Sequence, residues 1–276
     1  MSANSMMILL VSSSDYIYSP MYFFLSHLSF CDVLLTMTIV PEMLHVILRE
    51  GSFISISGCF TQFYFLSVST GTESLLLTLM SYDRYMAICN PLHYSSVMHL
   101  KFCIYLVTVT WFCGFGLSML HIFNLSQMIF CGSNIINHFF CDLVPLIKLA
   151  CSDTSSNDVV ILFLSVPLLI IPVVSITVTY INILHAILRI SSTTGRQKAF
   201  STCSSHLTVV CIYYGTLVFN YMSPSNREYS ALQKLDSVLY TIVTPLLNPV
   251  IYSLRNREII KALRTFMVKR MEKKMY

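Results

Sequence analysis

One stretch of the chain sets an acid beside an arginine at the end of a long apolar segment. Residues 63–80 are almost entirely apolar or small, Asp83 and Arg84 follow within the decapeptide MSYDRYMAIC, and residues 90–101 are polar. Such a pair at the border of a buried helix can simply reach water or lipid headgroups. It can also be a switch, in which the acid holds the arginine in one state and releases it to a partner in another.

Two more carboxyl groups lie where a charge is costly, since Asp32 and Glu73 are each near the middle of an apolar block. An intramembrane carboxylate faces the interior of a helix bundle, where it is protonated, hydrogen-bonded or functional. With Asn248 the two carboxyl groups form a candidate site for a sodium ion or for a change of protonation state. His206 is a second candidate partner for Glu73.

Four of the ten cysteines are candidates for disulfide bonds. Cys131, Cys141 and Cys151 lie in the polar segment 124–158, and Cys59 opens an apolar block. Four cysteines allow three connectivities, and the residues alone do not choose between them. A zinc site is not predicted, because His138 lies near Cys141 without any paired ligand spacing.

No catalytic constellation is visible in the sequence. There is no nucleotide-binding loop, no Ser-His-Asp set in a soluble fold and no HExxH motif. We therefore predict no enzymatic activity, no cofactor, no nucleic-acid partner and no metal beyond the possible sodium ion.

The elements that must position these groups are apolar helices. The chain is 55% hydrophobic and 11% charged, whereas about 25% of the residues of a typical soluble domain are charged. Its apolar blocks approach the ~20 residues needed to cross a bilayer. We predict one all-α membrane domain over residues 1–276, with a short first helix and six full spans. The predicted full spans are Pro20–Leu48, Cys59–Ile88, Phe102–Phe123, Val159–Leu188, Phe200–Met222 and Leu235–Leu254.

The basic residues predict the orientation of the bundle. Thirteen of the 17 lie on the side that holds Arg84 and the tail, residues 255–276, so this side is predicted to be cytosolic. The thirteen are Arg84, Lys101, Arg189, Arg196, Lys198, Arg255, Arg257, Lys261, Arg264, Lys269, Arg270, Lys273 and Lys274. The tail carries apolar residues at helical spacing and is predicted to be an amphipathic helix on membrane lipids. The segment 124–158 is then a long extracellular loop in an oxidising compartment.

Several motifs together resemble those of the olfactory receptors, within the rhodopsin-like G-protein-coupled receptors. PMYFFLSHLSFCD, MSYDRYMAICNPLHY, the loop cysteines, KAFSTCSSHL and TPLLNPVIYSLRN occur in that order along the chain. The resemblance implies a seven-helix receptor in the plasma membrane that binds an odorant and activates a stimulatory heterotrimeric G protein. A transporter or channel is a weaker alternative, because neither inverted repeats nor a polar pathway is seen.

The resemblance also assigns roles to individual residues. It implies the disulfides Cys59–Cys141 and Cys131–Cys151. It supports the sodium or protonation site, and it makes Pro249 a hinge, with Pro172 as the matching kink in the fifth span. The implied switch and G-protein-coupling residues are Asp83, Arg84, Tyr85, Tyr180, Asn248, Pro249 and Tyr252.

The implied ligand site is a cavity in the outer half of the bundle. It combines one face of the third span with residues of the later spans, and its members are mostly apolar with a few hydroxyls. They are Leu66, Ser67, Thr70, Gly71, Leu164, Leu168, Tyr214, Leu217, Val218, Tyr221, Val238 and Thr241. Because no acid is among them, a neutral, volatile and mainly apolar ligand is expected rather than an amine.

The first helix is short by comparison with the family. Asn4 matches the family asparagine that lies midway along the first helix, and Ala3 replaces the glycine before it. A helix over residues 2–12 would reach about 16 Å, against about 30 Å of hydrocarbon. We therefore expect a truncated, non-signalling product that is retained in the endoplasmic reticulum as the alternative to an active receptor.

Overall fold

The computed structural model describes residues 1–13, 19–49, 51–131, 135–151, 155–222 and 231–255. Within these ranges it is a bundle of helices, joined by loops that contain one isolated bridge between Phe130 and Ala150. The helices are α1 (Ser2–Ser13), α2 (Pro20–Leu48), α3 (Ile56–Cys89), α4 (Pro91–Val97), α5 (Leu100–Ser126), α6 (Leu143–Leu149), α7 (Ser155–Ser165), α8 (Ile171–Leu188), α9 (Thr193–Met222), α10 (Ala231–Val238) and α11 (Thr244–Arg255). The predicted all-α architecture is confirmed.

Three helical segments are both long and apolar enough to cross a membrane by length and composition: Pro20–Leu48, Leu100–Ser126 and Val159–Leu188. The helices α3 and α9 are also long, with 34 and 30 residues. Both carry more polar side chains. On α3 several of these are buried, among them Gln62 and Glu73, whereas the first turn of α9 holds the exposed Thr193 and Arg196. The predicted tail helix, residues 256–276, lies outside the described residues.

Several predicted loops contain helix, and this corrects their bounds. The third helix begins at Ile56, before the predicted span start at Cys59, because the Ser55 hydroxyl accepts a hydrogen bond from the Gly58 N–H, at 3.0 Å, and caps it. The long loop 124–158 holds α6, which the Asp142 carboxylate caps at the N–H of Leu143. The helix α9 begins at Thr193, before the predicted span start at Phe200.

Two spans are interrupted by a π-helical turn. Val166–Ile170 separates α7 from α8 and includes Pro167, and its last bond runs from the Ile171 N–H to the Val166 carbonyl. Leu239–Val243 separates α10 from α11 in the same way. A proline removes a helical donor and crowds the preceding turn, which explains the first interruption, just before Pro172.

The third helix is the centre of the bundle, since it packs against α2, α5 and α8. We call its two ends the Arg84 end and the disulfide end, the latter after Cys59. One core cluster lies toward the Arg84 end and contains the buried residues Phe24, Leu76, Leu77, Met80 and Tyr252. A second cluster lies at the disulfide end and contains Leu35, Phe63, Leu66, Phe140 and Leu146.

The first helix buries one face against α2 and α11. Asn4, Met7, Leu10 and Val11 are buried on it, and the Asn4 amide donates a hydrogen bond to the Pro245 carbonyl, at 2.9 Å. The asparagine singled out in the sequence therefore joins the first and last spans. Retention in the endoplasmic reticulum stays a prediction.

Gly114 allows α5 to approach α3 closely. A Cβ atom added at Gly114 would collide with the Thr72 hydroxyl and lie 3.5 Å from the Val68 carbonyl oxygen, whereas a Cβ at Gly116 would meet nothing within 4 Å. We expect Gly114→Ala to lower the free energy of unfolding by about 1–3 kcal/mol through overpacking. The matched Gly116→Ala should be neutral or stabilising by ~0.4–1 kcal/mol. Thermal unfolding of both variants in detergent tests this, and equal midpoints would contradict the close approach.

Candidate functional site

The two intramembrane carboxyl groups meet at a single amide. Asn248 on α11 lies with its amide nitrogen 3.1 and 3.3 Å from the carboxylate oxygens of Asp32 on α2, and 3.2 Å from Glu73 on α3. All three side chains are buried, with at most 2% of their surface exposed. One amide has only two hydrogens to share among three oxygens, so it does not neutralise two carboxylates. The amide is neutral, so two ionised carboxylates would keep both negative charges, and a proton or a small cation would reduce this charge.

His206 is not the partner of Glu73 that the sequence suggested. Its Nδ1 lies 2.6 Å from the Tyr180 hydroxyl, and the two rings stack with centroids 5.7 Å apart. The second ring nitrogen of His206 is buried without a partner among the residues that the structure describes. The histidine thus joins α9 to α8, toward the Arg84 end of the bundle.

Asp83 holds Arg84 at the border of the third helix. The Arg84 Nε donates to Asp83 Oδ2 at 3.0 Å, and an Nη2 contact to the same oxygen completes the ion pair. The other oxygen, Oδ1, accepts a hydrogen bond from the Tyr94 hydroxyl of α4, at 2.8 Å. Asp83 is fully buried, and Arg84 and Tyr94 are its side-chain partners.

Sequence reasoning gave Tyr94 no role, although the residue closes the quoted motif NPLHY. Burial, followed by the nearby Asp83 carboxylate, raises the pKa of Tyr94 above its ordinary value. The phenol therefore stays protonated and can donate to Asp83. The signal was present in the motif, but only the fold of α4 brings the tyrosine back to the end of α3.

The remaining switch residues lie around the same end of the bundle. Tyr252 is buried, and its hydroxyl has no hydrogen-bond partner within the described ranges. Tyr85 packs against the cluster of Ile183, Ile187 and Cys203 and stacks on Tyr82, with ring centroids 6.5 Å apart. Pro249 lies inside α11, one position after the buried Asn248.

The structure joins the two cysteine pairs that the resemblance implied. Cys59 and Cys141 have Cα atoms 5.4 Å apart, and Cys131 and Cys151 have Cα atoms 6.0 Å apart. Near the first bond, the Cys141 N–H also donates to the side-chain oxygen of Gln62, at 2.9 Å. The long loop is therefore attached to α3 at two points that are one helical turn apart.

The predicted ligand residues lie mostly in packed interior. Leu66, Leu164, Leu168 and Leu217 are buried, and Ser67 and Val238 are half-buried. Three members take part in hydrogen bonds, two of them between α3 and α9 and one to a residue four positions earlier in the chain. The Tyr214 hydroxyl lies 2.7 Å from that of Ser74, the Thr70 carbonyl accepts from Tyr213 at 2.6 Å, and the Thr241 hydroxyl donates to the Ser237 carbonyl at 2.6 Å.

Gly71 and Val218 show the two extremes of this set. A Cβ added at Gly71 would lie 3.0 Å from the Leu168 side chain, so this glycine brings α3 close to the π-helical turn. Val218 is 50% exposed and lies beside the buried Leu217 on the outward face of α9, which corrects its assignment to the pocket. The side chain of Tyr221 lies outside the described residues.

The comparisons with known proteins decide the family. A family model described as olfactory receptor matches residues 1–270. The chain belongs to the olfactory receptor family. It is therefore a receptor of the odorant-sensing class, built as a helical membrane bundle, and it is not an enzyme.

Similarity to individual olfactory receptors extends over nearly the whole chain. The receptor is 44% identical over 271 residues to olfactory receptor 1f45 of Rattus norvegicus, which covers 98% of this chain and 87% of the relative. It is 48% identical over 264 residues to olfactory receptor 11L1 of Homo sapiens, covering 96% and 82% of the two chains. Olfactory receptor 5G9 of Mus musculus is 47% identical over 263 residues, covering 95% and 84%.

The disulfide end of the receptor holds a cavity of about 820 Å³, and none of the predicted ligand residues whose side chains the structure describes lines it. It lies between the end of α2, the loop after it, the start of α3 and the long loop. Its walls combine aromatic side chains such as Phe53 and Phe60 with Glu42 and Lys234. Because the long loop and Lys234 are far in sequence from residues 42–62, only the fold shows that they enclose one space.

His138 is a buried histidine of the long loop. Burial lowers the pKa of His138 below its ordinary value of 6.5, and the nearby Lys234 acts in the same direction, while Asp142 opposes both. Its ring nitrogens lie 3.1 Å from the Ser237 hydroxyl and 3.1 Å from the Phe140 carbonyl. The folded receptor therefore prefers the neutral imidazole.

The unfolded chain binds a proton at His138 more readily than the folded receptor does. We therefore expect the free energy of unfolding to be highest above pH 6.5 and to fall as the pH decreases below that value. Unfolding midpoints of the receptor and of His138→Gln, measured at neutral and mildly acidic pH, test the sign. The loss on acidification should be smaller in the variant, and an equal loss would assign the effect to other groups.

Proposed function

We propose that this receptor is activated by a small, neutral, mostly apolar odorant and couples to a stimulatory heterotrimeric G protein. The observation that carries the proposal is the arrangement at the end of α3, where Asp83 holds Arg84 and Tyr94 completes the shell of the carboxylate. Such a site keeps an arginine available without exposing it fully, since 16% of the Arg84 side chain is accessible.

Odorant binding is proposed for the region between α3, the π-helical turn before α8, and α9. Gly71 leaves room that Leu168 enters, and Tyr214 supplies a hydroxyl near Ser74. Leucine side chains would bury the hydrocarbon body of a ligand, which favours binding by about 25 cal/mol per Å² of apolar surface. The absence of an acid in the predicted set supports a neutral ligand over an ammonium compound.

Transmission to the G protein is proposed to depend on α9. In this structure, His206 of α9 is hydrogen-bonded to Tyr180 of α8. We infer that an outward movement of α9 separates this pair, lets Tyr252 approach Arg84 and Tyr180, and releases Arg84 to the α subunit. The hinge for the movement of Tyr252 is Pro249, which interrupts the hydrogen bonds of α11.

The Arg84 end is proposed to face the cytosol, and the disulfide end the exterior. Two observations of different kinds support this orientation. Thirteen of the 17 basic residues are on the Arg84 side, and the disulfides at the other end need an oxidising compartment. The functional receptor is accordingly proposed to lie in the plasma membrane.

An odorant panel with a cyclic-AMP readout tests the proposed function. The chain as printed is expressed with a C-terminal tag, and its surface level is measured beside the response. At least one neutral volatile compound is expected to raise cyclic AMP in a dose-dependent way. A receptor that reaches the surface but answers to no compound, or only to amines, would contradict the proposed ligand class.

The carboxyl pair is proposed to bind a sodium ion when both groups are ionised. Hard cations prefer oxygen ligands, and Asp32 and Glu73 supply them from two neighbouring spans. The described residues contain no group of three or more acidic, histidine or cysteine side chains, so a monovalent ion fits better than an all-protein cage for a divalent one.

We expect about 150 mM sodium chloride to raise the unfolding midpoint above that in choline chloride at the same ionic strength. Glu73→Gln should abolish the difference, whereas Glu42→Gln at the disulfide end should keep it. Equal midpoints in the two salts for the parent receptor would argue for a shared proton instead of sodium.

A further inference from the structure

A groove of about 850 Å³ lies between α8 and α9 and runs from the middle of the bundle toward the Arg84 end. Its floor is made of buried side chains, among them Ile176, Ile183 and Val210. Its rims are exposed, with Leu184 on one side and Leu207 on the other. The groove therefore opens sideways, toward the lipid, and not toward either aqueous face.

The hydroxyl groups of the groove are turned away from any occupant. Thr177 donates to the Val173 carbonyl at 2.8 Å, and Thr208 donates to the Ser204 carbonyl at 2.7 Å. Tyr180, which also lines the groove, is bonded to His206. The groove therefore offers mainly carbon and sulfur surface, and a polar ligand would lose its hydration without gaining a hydrogen bond.

The dimensions of the groove match a hydrocarbon chain. Its lining on α8 extends from Val173 to Ile187, which is about 21 Å along a helix. One leaflet contributes about half of the ~30 Å hydrocarbon thickness, so a chain from one leaflet can lie along most of the groove. Water does not fill an apolar space of this kind, because it finds no polar partners there.

We propose that this groove is a lipid site, occupied by one acyl chain of a phospholipid that enters from the leaflet at the Arg84 end. The site shares Tyr214 with the proposed odorant region but opens in a different direction, because its rims face the bilayer. The acyl chain covers the buried floor of the groove on both helices, which the hydrogen bond between Tyr180 and His206 already holds together. Neither odorant binding nor G-protein coupling is needed for it.

The test uses the full receptor in membranes that contain a phospholipid with a diazirine in the middle of one acyl chain. After illumination, peptides are mapped by mass spectrometry. Adducts per exposed residue are expected to be several-fold more frequent on the groove peptides of α8 and α9 than on α5. Phe112, Met119 and Leu120 expose α5 outside this groove, so they report ordinary lipid contact. Equal frequencies on all three helices would overturn the proposal.

Variants that fill the groove with tryptophan side chains are compared with a tryptophan variant outside it. Leu184→Trp combined with Leu207→Trp enlarges both rims, and Leu120→Trp adds the same ring to a residue that is 50% exposed, as Leu184 is. The double variant should lose the groove adducts several-fold, and Leu120→Trp should keep them. If the double variant does not fold, a titration of labelled lipid in the parent decides. Groove adducts should saturate while α5 adducts rise linearly, and a linear rise at both would reject the site.

Discussion

Cells that express Arg84→Ala are expected to lose odorant-evoked cyclic AMP and to retain ligand binding. The guanidinium of Arg84 is the group that we propose to contact the G protein, and alanine has nothing to replace it. The proposed ligand region is toward the other end of α3, so binding should change little. The measurement is cyclic AMP at matched surface level, with an agonist from the odorant panel, beside direct binding of that agonist.

Arg84→Ala could also lose its signal by unfolding, and two further variants distinguish the two causes. Removing Arg84 leaves the buried Asp83 carboxylate with Tyr94 alone, and breaking a buried ion pair can cost about 3–5 kcal/mol. Asp83→Asn added to Arg84→Ala removes that charge and should restore the surface level but not the signal. Arg189→Ala, at an exposed arginine near the same end, should signal normally. A normal response from Arg84→Ala would refute the proposed role.

Cys141→Ser is expected to prevent delivery of the receptor to the cell surface. The bond to Cys59 closes a loop over a sequence separation of 82 residues, and loss of such a disulfide typically costs ~2–5 kcal/mol. The freed segment also contains the Cys141 N–H that donates to Gln62, and it forms part of the wall of the cavity at the disulfide end. Staining of intact cells for an extracellular tag, beside total expression, measures the loss.

Cys59→Ser should behave as Cys141→Ser does, and the double variant should be no worse than either, because all three remove the same bond. Cys113→Ser changes a free, exposed cysteine of α5 and should leave surface staining unchanged. Equal staining of Cys141→Ser and the parent would show that the bond is dispensable for delivery.

The sequence predicted the helices well where their ends are marked by a change from apolar to polar residues. The predicted span Pro20–Leu48 coincides with α2, and Asp32, Glu73 and Asn248 come together as expected. The meeting of the three polar side chains has a physical cause, since a carboxyl group within an apolar block must find its partner on a neighbouring helix. The helix starts at Ile56 and Leu143 were missed, although Ser55 and Asp142 carried capping signals.

Contacts that depend on the rotation of a helix about its axis were harder to predict. The sequence suggested His206 as a partner for Glu73. Its ring is instead hydrogen-bonded to Tyr180 on α8. Val218 follows Leu217, and the rotation of about 100° per residue takes it from the interior to the outward face. Tyr94 bonds to Asp83 only because α4 folds back beneath α3, which no local pattern states.

The third helix has a consequence for how a signal can cross the bundle. It is continuous from Ile56 to Cys89, contains no proline and no π-helical turn, and carries Cys59 near one end and Arg84 near the other, about 38 Å apart. Interrupted turns are found instead in the spans around it, before α8 and before α11. For the proposed signalling mechanism, we therefore expect the third helix to stay rigid while its contacts with the neighbouring helices change.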